Sequence, residues 1–285
     1  MGGTMQGIPV RTDSTVARKP WLAALLSLVA VGLGQVYNGH WRRGVGFLLF
    51  EFVLGLIVFA FMEQFVVLLI GVSALAGFNL FVIVEAFRSA KEKSAYTLKA
   101  CNRPLVYAVF LLCSLALGLA SSWGVRTYFV KAYTCASESM VPTMRKGDHF
   151  LAKALGAEGA IKRGDVIVFQ SPENDGVDFI KRVIGLPGET IEIRDQVVFI
   201  NGQPQEEPYV RHSESDVQPG RNSMAQQTLL SDEYFVMGDN REASYDSRFI
   251  GPINRKWIRY RALYYYFPAD FGSESWSDRF GMAVR

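Results

Sequence analysis

"LVYAVFLLCSLALGLASSWGV", residues 105–125, separates two halves of the sequence that differ in composition. The run contains no charged side chain, and about 20 apolar residues in a helix are enough to cross the hydrocarbon core of a bilayer. Long apolar runs fill most of the sequence before it, whereas residues 126–285 have the composition of a soluble domain. The run therefore predicts a membrane anchor helix that joins an α-helical membrane region to a separate domain.

Two further runs upstream are long enough to span a membrane. They are "GVGFLLFEFVLGLIVFAFM" (44–62) and "FVVLLIGVSALAGFNLFVIVEAF" (65–87). Glu51 and Asn79 lie inside these runs, where an unpaired polar group is costly. We therefore expect the two side chains to pair with other helices or to reach the membrane interface, rather than to form a ligand or ion site.

A shorter apolar run, "WLAALLSLVAVGLGQVY" (21–37), contains Gly32 and Gly34 and has basic residues on both sides. Both ends therefore favour the cytoplasm, which predicts a bent, re-entrant segment; a full span is the alternative. A signal peptide is a poorer interpretation, because no small-x-small cleavage site follows. The stretch "GLGQVYNGHWRRG" (32–44) resembles small membrane modules that have a G-L-G-x-x-Y-x-G turn followed by basic residues. Residues 21–104 are thus predicted to form a membrane module.

Basic residues predict the orientation. The connection 88–104 carries five lysines and arginines, whereas the connection 63–64 carries none. By the positive-inside rule 88–104 is cytoplasmic, so the 105–125 helix runs outward and residues 126–285 lie outside. Residues 1–20 are then expected to be a cytoplasmic tail.

Charge and cysteine content exclude several classes of protein. A net charge of +3 without a basic block gives no reason to expect nucleic-acid binding. Cys101, Cys113 and Cys135 are scattered, and their spacing fits neither a metal site nor a disulfide framework.

After residue 124 the pattern changes to short, β-rich segments punctuated by glycine and proline. "TIEIR" (190–194) alternates as a half-buried strand does, and "VVFINGQP" (197–204) enters an Asn-Gly hairpin turn. Further candidate strands are "DVIVF" (165–169), "YFVMGD" (234–239) and "RALYYYF" (261–267). The pattern predicts an all-β domain of twisted antiparallel sheets, either a barrel or a sandwich.

The stretch "SESMVPTM" (137–144) offers Ser139 as a nucleophile and lacks a histidine that would accept its proton. His149 and His212 are not excluded by spacing, because a Ser-His-Asp triad requires only proximity in the fold. Neither histidine has a suggestive setting in the sequence. A neutral lysine is the other kind of base.

"DFIKRVIGLPG" (178–188) contains such a lysine. In a strand Phe179, Lys181 and Val183 would share one face, and apolar surroundings lower the pKa of a lysine. Alternation alone favours the simpler interpretation, a lysine on an edge strand that faces water.

"GDNREASYDSR" (238–248) concentrates two aspartates, two arginines and two serines. The simple interpretation is a polar turn held by ion pairs. The functional one is that a hydroxyl here holds the amine of Lys181 toward Ser139.

Taken together, "SESMVPTM", "RGDVIVF", "DFIKRVIGLPGE" and "GDNREASYDSR" resemble, in order and spacing, the motif boxes of type I signal peptidases. The resemblance covers about residues 126 to 265, and "GPINRKWIRYRA" (251–262) fits the closing segment of that family. It implies that Ser139 is the nucleophile and Lys181 the general base, and that Ser137 contributes a hydroxyl to the oxyanion hole. The remaining implied roles are orientation of the lysine by Ser244, support of the site by Asp239, Asp246 and Arg248, and lining of the substrate pocket by Met140 and Cys135.

Three positions depart from the family pattern. Ala136 stands where proline is common, Met144 where leucine is usual, and Glu242-Ala243 where Asp-Asn is common. These positions border the substrate groove, so the departures concern fine specificity rather than the reaction.

The resemblance implies a multi-pass enzyme of the cytoplasmic (inner) membrane with its peptidase domain on the extracytoplasmic side. It would remove signal peptides from exported preproteins after small residues, in an A-x-A-like site, without a cofactor or metal. Its partners would be preproteins and the lipid bilayer, with the export machinery as a further candidate. Two alternatives stay open at this point, a self-cleaving Ser/Lys regulator and a non-enzymatic membrane scaffold. The membrane spans and the intact Ser139 and Lys181 argue against them.

Overall fold

The structure is a computed structural model, and the chain divides into two compact units, Met1–Trp123 and Gly124–Arg285. The residues that it describes are 15–93, 95–156, 159–171, 176–212, 222–270, 272 and 276–285. Most of the predicted N-terminal tail, residues 1–14, lies outside the described residues.

The first unit is built from helices. Its helices are α1 (Pro20–Val29), α2 (Leu33–Tyr37), α3 (Trp41–Ala60), α4 (Phe65–Lys91) and the beginning of α5 (Pro104–Tyr128). Among the described residues, three helices are long and apolar enough to cross a membrane: Trp41–Ala60, Phe65–Lys91 and Pro104–Val125. The amide of Asn79 on α4 donates to the Glu51 carboxylate on α3 at 2.9 Å, which confirms the expected pairing between helices.

The 21–37 run is broken, as its glycines predict. Gly32 has φ of +91°, a left-handed conformation that favours glycine, and it separates α1 from α2. A Cβ at Gly32 would lie 2.1 Å from the carbonyl oxygen of Gly44, and one at Gly34 would lie 2.2 Å from that of Ala23. The two glycines therefore permit the bend and the close packing of backbone against backbone.

A two-residue strand, β1 (Thr15–Val16), pairs with β2 (Tyr96–Thr97) in this unit. The backbone N–H of Arg18 also donates to the carbonyl of Lys93 at 3.1 Å. The residues that precede α1 therefore lie beside the connection that follows α4.

The second unit consists of antiparallel sheets. Its strands are β3 (Val130–Thr134), β4 (His149–Ala154), β5 (Val166–Gln170), β6 (Asp178–Gly185), β7 (Thr190–Arg194), β8 (Val197–Ile200), β9 (Gln203–Pro204), β10 (Met224–Thr228), β11 (Glu233–Met237), β12 (Ile253–Asn254) and β13 (Ile258–Phe267). Short helices α6 (Ser247–Ile250) and α7 (Trp276–Arg279) complete it. A seven-stranded sheet has the order β12-β11-β6-β5-β13-β4-β3, and a four-stranded sheet has the order β10-β7-β8-β9. The predicted fold class, a helical membrane region followed by antiparallel sheets, is confirmed.

The hairpin turn predicted at Asn201-Gly202 is confirmed as well. Ile200 on β8 pairs with Gln203 on β9, and Asn201 and Gly202 between them have φ of +50° and +78°. Two residues with positive φ are typical of the tight hairpin turn that Asn-Gly favours.

The position of β6 matters most for the site. It lies between β11 and β5 in the larger sheet, and Lys181 pairs with Ile167 of β5. The interpretation of Lys181 as an edge-strand lysine facing water is therefore wrong, because β6 is an inner strand and Lys181 is only 5% exposed.

Candidate active site

Ser139 and Lys181, distant in sequence, meet in the second unit. Ser139 lies in the loop between β3 and β4, and Lys181 lies on β6. The Lys181 Nζ is 2.8 Å from the Ser139 Oγ, and both residues are 5% exposed. The distance is that of a direct hydrogen bond, in which a neutral amine accepts the proton of the hydroxyl.

Burial lowers the pKa of Lys181 to about 8 from an ordinary value of 10.5. The charges of Asp246 and Asp239 act in the opposite direction but do not offset the burial. The amine also contacts the carbonyl of Ile180 at 3.0 Å and lies 5.7 Å from the ring centroid of Phe179. Such an amine carries a substantial neutral fraction near neutral pH, as a general base requires.

Ser137 lies beside the nucleophile. Its Oγ is 3.1 Å from the Ser139 Oγ. A hydroxyl at this distance is close enough to donate to an oxyanion that forms at the carbon bonded to Ser139. The structure thus brings together three of the predicted residues, Ser137, Ser139 and Lys181.

Ser244 lies in the same buried region, but its hydroxyl has a different partner from the one predicted. It donates to Asp246 at 2.7 Å, and no hydrogen bond joins it to Lys181 within the described part of the chain. A Cβ at Gly238 would lie 2.3 Å from the Ser244 Oγ and 2.4 Å from the carbonyl oxygen of Ser139. The missing side chain of Gly238 therefore allows this segment to approach the Ser139 loop, and direct orientation of the lysine by Ser244 stays a prediction.

Asp246 and Arg248 form an ion pair within the motif. The Arg248 Nε donates to Asp246 at 2.9 Å, and the side chains are 2% and 0% exposed. Burial by itself would raise the pKa of Asp246, but the hydrogen bonds and charge of Arg248 hold that pKa below its ordinary value. Asp246 also accepts from the backbone N–H of Gly238 at 3.0 Å, so the ionised carboxylate fixes the turn.

Asp239 pairs with Arg182, a residue to which the sequence pattern assigned no role. The guanidinium binds both carboxylate oxygens at 2.7 and 2.6 Å, and both side chains are 1% exposed. Thr143 of the nucleophile loop donates to the same carboxylate at 2.5 Å. The pair therefore ties β6 to the loop that carries Ser139. The adjacency of Arg182 to Lys181 was the available signal in the sequence.

A cleft of about 360 Å³ contains the serine and the lysine. Its lining consists of Tyr133, Thr134, Ala136, Ser137, Ser139, Val177, Asp178, Phe179, Ile180, Lys181, Ala243 and Tyr245. Met140 and Cys135, predicted as pocket residues, are 0% and 2% exposed and belong to the hydrophobic core beneath it. Tyr133 and Tyr245, to which the sequence analysis assigned no role, line the cleft, and the pocket roles of Met140 and Cys135 stay predictions.

The two histidines of this unit have other partners. The His149 Nδ1 lies 3.0 Å from the hydroxyl of Thr134, and the His212 Nδ1 lies 3.1 Å from Glu242. In the described ranges, the side-chain hydrogen bonds of Ser139 go to Lys181 and Ser137. As far as the structure describes the chain, no group of three His, Cys, Asp or Glu side chains is arranged to hold a metal ion.

Comparisons with known proteins show the family to which the chain belongs. The family model described as "Signal peptidase, peptidase S26" matches residues 105–267. Signal peptidase I of Leptolyngbya laminosa is 38% identical over 165 residues, covering 55% of this chain and 78% of that protein. Signal peptidase IB of Staphylococcus aureus is 32% identical over 170 residues, covering 55% of this chain and 88% of that protein. A crystal structure of a signal peptidase I from Enterococcus faecalis aligns with 35% of this chain and 93% of that chain, at 36% identity and a TM-score of 0.30.

The apolar helices and the matched domain define a class of protein, a membrane-bound serine endopeptidase. The chain belongs to the signal peptidase family, peptidase S26. Removal of signal peptides is the activity that this membership supports. The matched residues begin at 105, so helices α1 to α4 precede the family domain.

Proposed function

We propose that this enzyme removes N-terminal signal peptides from exported preproteins by means of a Ser139–Lys181 dyad. The observation that carries the proposal is the 2.8 Å contact between the Ser139 Oγ and a buried lysine amine whose pKa is lowered to about 8. Seryl attack needs a base that is neutral at the working pH and already in hydrogen-bonding contact with the hydroxyl. Among the described residues, Lys181 is the side chain that supports both requirements.

The proposed reaction has two halves. The neutral Lys181 amine takes the proton of Ser139 while the Oγ attacks the scissile carbonyl carbon, and the resulting oxyanion is stabilised by the Ser137 hydroxyl and the backbone N–H of Ser139. The lysine ammonium then gives its proton to the departing amine, which leaves an acyl-enzyme on Ser139. In the second half, a water that Lys181 deprotonates attacks the ester carbonyl and releases the signal peptide.

The cleft supports a preference for small side chains before the cut. Ala136 and Ala243 lie on its surface next to the dyad, and Ile180 and Phe179 supply apolar walls. We expect an apolar recess between these residues to admit alanine-like side chains and to exclude larger ones by overlap. We expect Ala-x-Ala sites to be preferred for this reason.

Cleavage of a preprotein by purified full-length enzyme tests the dyad. Ser139→Ala and Lys181→Ala should each lower kcat/KM by at least about a thousandfold, because the members of such a unit act together. Ser244→Ala should reduce the rate without abolishing it, since its hydroxyl acts through Asp246. His149→Ala, the matched control, should cleave like the wild type; near-wild-type turnover by Lys181→Ala would contradict the mechanism.

We also propose that the catalytic unit faces the extracytoplasmic side of the cytoplasmic membrane and that α1 and α2 re-enter without crossing. The pairing of Thr15–Val16 with Tyr96–Thr97 supports re-entry, because it holds both ends of the α1–α4 segment on one side while α3 and α4 supply two crossings. Five basic residues in 88–104 support a cytoplasmic position for that side.

Labelling by a membrane-impermeant thiol reagent tests this orientation in a background without native cysteines. We expect Gln64→Cys and Glu214→Cys to be labelled from outside, and Ser14→Cys and Ser94→Cys to be protected. External labelling of Ser14→Cys would establish a fourth crossing. Labelling of Ser94→Cys without Glu214→Cys would place the catalytic unit in the cytoplasm and contradict signal-peptide removal.

A further inference from the structure

The membrane unit holds a cluster of cations that catalysis does not use. Arg18, His40 and Lys93 converge where α3 begins and α4 ends, and we call these three residues the basic cluster. Arg18 and Lys93 are joined by a backbone hydrogen bond of 3.1 Å, and the Lys93 Nζ lies 3.2 Å from the His40 Nε2. The cluster therefore lies at the ends of two helices that are long and apolar enough to cross a membrane.

Arg18 is buried with part of its guanidinium unpaired, although the group also forms a side-chain hydrogen bond with Tyr96. It is 8% exposed, and the guanidinium carbon lies 4.4 Å from the ring centroid of Tyr37 and 4.3 Å from that of Tyr96. The rings cover its faces, but the Nε and Nη2 groups have no hydrogen-bond partner. Buried donors of a charged group that stay unpaired are strongly unfavourable, so an acceptor is expected in the plane of the guanidinium.

Lys93 adds a second cation at the same place. Its ammonium lies 5.2 Å from the ring centroid of Tyr96 and donates to the backbone carbonyl of Asn38. Burial, followed by the charges of Lys99 and Arg18, lowers the pKa of Lys93. The cations of the cluster therefore repel one another, and a bound anion would offset this repulsion.

His40 supplies a further free donor. When the Lys93 ammonium donates to the Nε2 of His40, 3.2 Å away, a neutral ring carries its proton on Nδ1, and Nδ1 is buried without a partner. His40 also precedes α3, and no side chain caps that helix. The first intrahelical acceptor is the carbonyl of His40, which binds the N–H of Gly44, so the amides of residues 41–43 have no partner within the helix.

No carboxylate of the described residues lies within 4.0 Å of Arg18 or Lys93. The neighbouring acid, Glu85, accepts from Gln35 at 2.7 Å and lies 3.5 Å from Arg43. None of the described carboxylates forms an ion pair with either cation, although the charge of Glu85 acts on Lys93 from a greater distance. The N-terminus of α3 is uncapped, and three buried nitrogens of the basic cluster have no hydrogen-bond partner. The Asn38 Oδ1 is a buried acceptor without a hydrogen-bond partner among the described residues.

We propose that the basic cluster binds the phosphate of an anionic phospholipid whose headgroup carries a hydroxyl, such as phosphatidylglycerol. Phosphate oxygens accept from guanidinium, ammonium and helix N-terminal amides together, and the α3 N-terminus adds its favourable dipole. A headgroup hydroxyl can donate to the Asn38 Oδ1, which the phosphodiester of the lipid cannot do because it has no P–OH group. A lipid is the favoured source because the cluster lies at the ends of membrane spans, where the phosphates of anionic lipids are concentrated.

Lipid binding to the full-length protein tests the proposal. The protein is purified in a zwitterionic detergent and titrated with phosphatidylglycerol, phosphatidylcholine or inorganic phosphate, and native mass spectrometry counts the bound molecules. We expect one saturable phosphatidylglycerol per chain, at least tenfold weaker binding of phosphatidylcholine, and no competition by inorganic phosphate at equal concentration.

Variants assign the binding to the cluster. Arg18→Gln and Lys93→Gln should each weaken phosphatidylglycerol binding at least tenfold, whereas Arg42→Gln, which removes an exposed arginine on the first turn of α3, should bind like the wild type. If Arg18→Gln does not fold, as judged by its melting curve, Lys93→Gln decides the result. Equal binding by the wild type and Lys93→Gln, or by the two lipids, would overturn the proposal. Saturation by inorganic phosphate in place of the lipid would overturn the lipid assignment.

Discussion

Buried charges around the catalytic cleft are mostly paired, whereas those of the basic cluster are not. In the catalytic unit Arg182 pairs with Asp239 and Arg248 with Asp246, all four side chains being at most 2% exposed. Arg18 and Lys93 in the membrane unit have no such partner among the described residues. Burying a cation without a carboxylate partner is unfavourable, so such a group tends to lose its proton or to bind a ligand. Buried cations without a carboxylate are therefore candidates for functional sites.

Lys181 and Lys93 show the two outcomes. Both are partly or fully buried and both have lowered pKa values, with burial as the main cause. Lys181 is surrounded by apolar side chains and a hydroxyl, so the neutral amine is useful there as a base. Lys93 has the Asn38 carbonyl and the His40 ring as acceptors but lies among the charges of Lys99 and Arg18, so a bound anion stabilises it instead. The free-energy cost of burying a charged lysine therefore favours a neutral base in the catalytic unit and a bound anion in the membrane unit.

Breaking a paired charge should produce the largest effect. Asp239→Asn leaves Arg182 buried and uncompensated, and we expect it to lower the free energy of unfolding by about 3–5 kcal/mol. Denaturant unfolding of the full chain in detergent, followed by the β-sheet signal in circular dichroism, measures the change. Glu192→Gln is the control, because Arg194–Glu192 is a partly exposed pair that contributes about 0–1 kcal/mol. Equal losses in the two variants would show that pairing is not what stabilises the sheet around the site.

Replacing Lys181, which has no carboxylate partner among the described residues, should raise the free energy of unfolding instead of lowering it. Between pH 8 and 10.5 the unfolded chain binds a proton at Lys181 that the folded chain does not, so the wild type gains stability as pH rises through this window. Below pH 8 both the folded and the unfolded chain bind this proton, and burying the charged amine lowers the free energy of unfolding by a constant amount of about 3 kcal/mol. Lys181→Met should therefore raise stability at pH 7 by about this amount and remove the slope. Lys146→Met, at an exposed lysine, is the control and should change neither the stability at pH 7 nor its slope with pH. A Lys181→Met variant that is less stable than the wild type would contradict the predicted cost of burying the lysine.

The smallest expected effect is the pH dependence of the rate. Because only the neutral amine of Lys181 acts as base, kcat/KM should rise about tenfold per pH unit below the lysine pKa and level off above it. The inflection is expected near pH 8. Initial rates on a preprotein between pH 6 and 10 measure it, and His149→Ala should keep the same profile. An inflection near 6.5 that disappears in His149→Ala would assign the base to the histidine.

Local features could be predicted from the sequence because their causes are local. Apolar length alone located the three membrane helices, and Gly32 located the break before α2. Alternation and the Asn201-Gly202 pair located the strands and a hairpin, since side-chain direction and turn conformation depend on adjacent residues. Motif order was enough to identify the family before any geometry was known.

The tertiary structure decided what depends on residues far apart in the chain. Alternation favoured a water-facing Lys181, and only the position of β6 between two other strands buries its amine. Arg182 became the partner of Asp239 in the same way, while Met140 joined the core instead of the cleft surface. Burial and pairing are properties of three-dimensional neighbours, and they set the pKa of the lysine. The sequence by itself therefore determined the helices, the strands and the candidate serine and lysine, and the packing of distant strands determined which of these groups can act as a base.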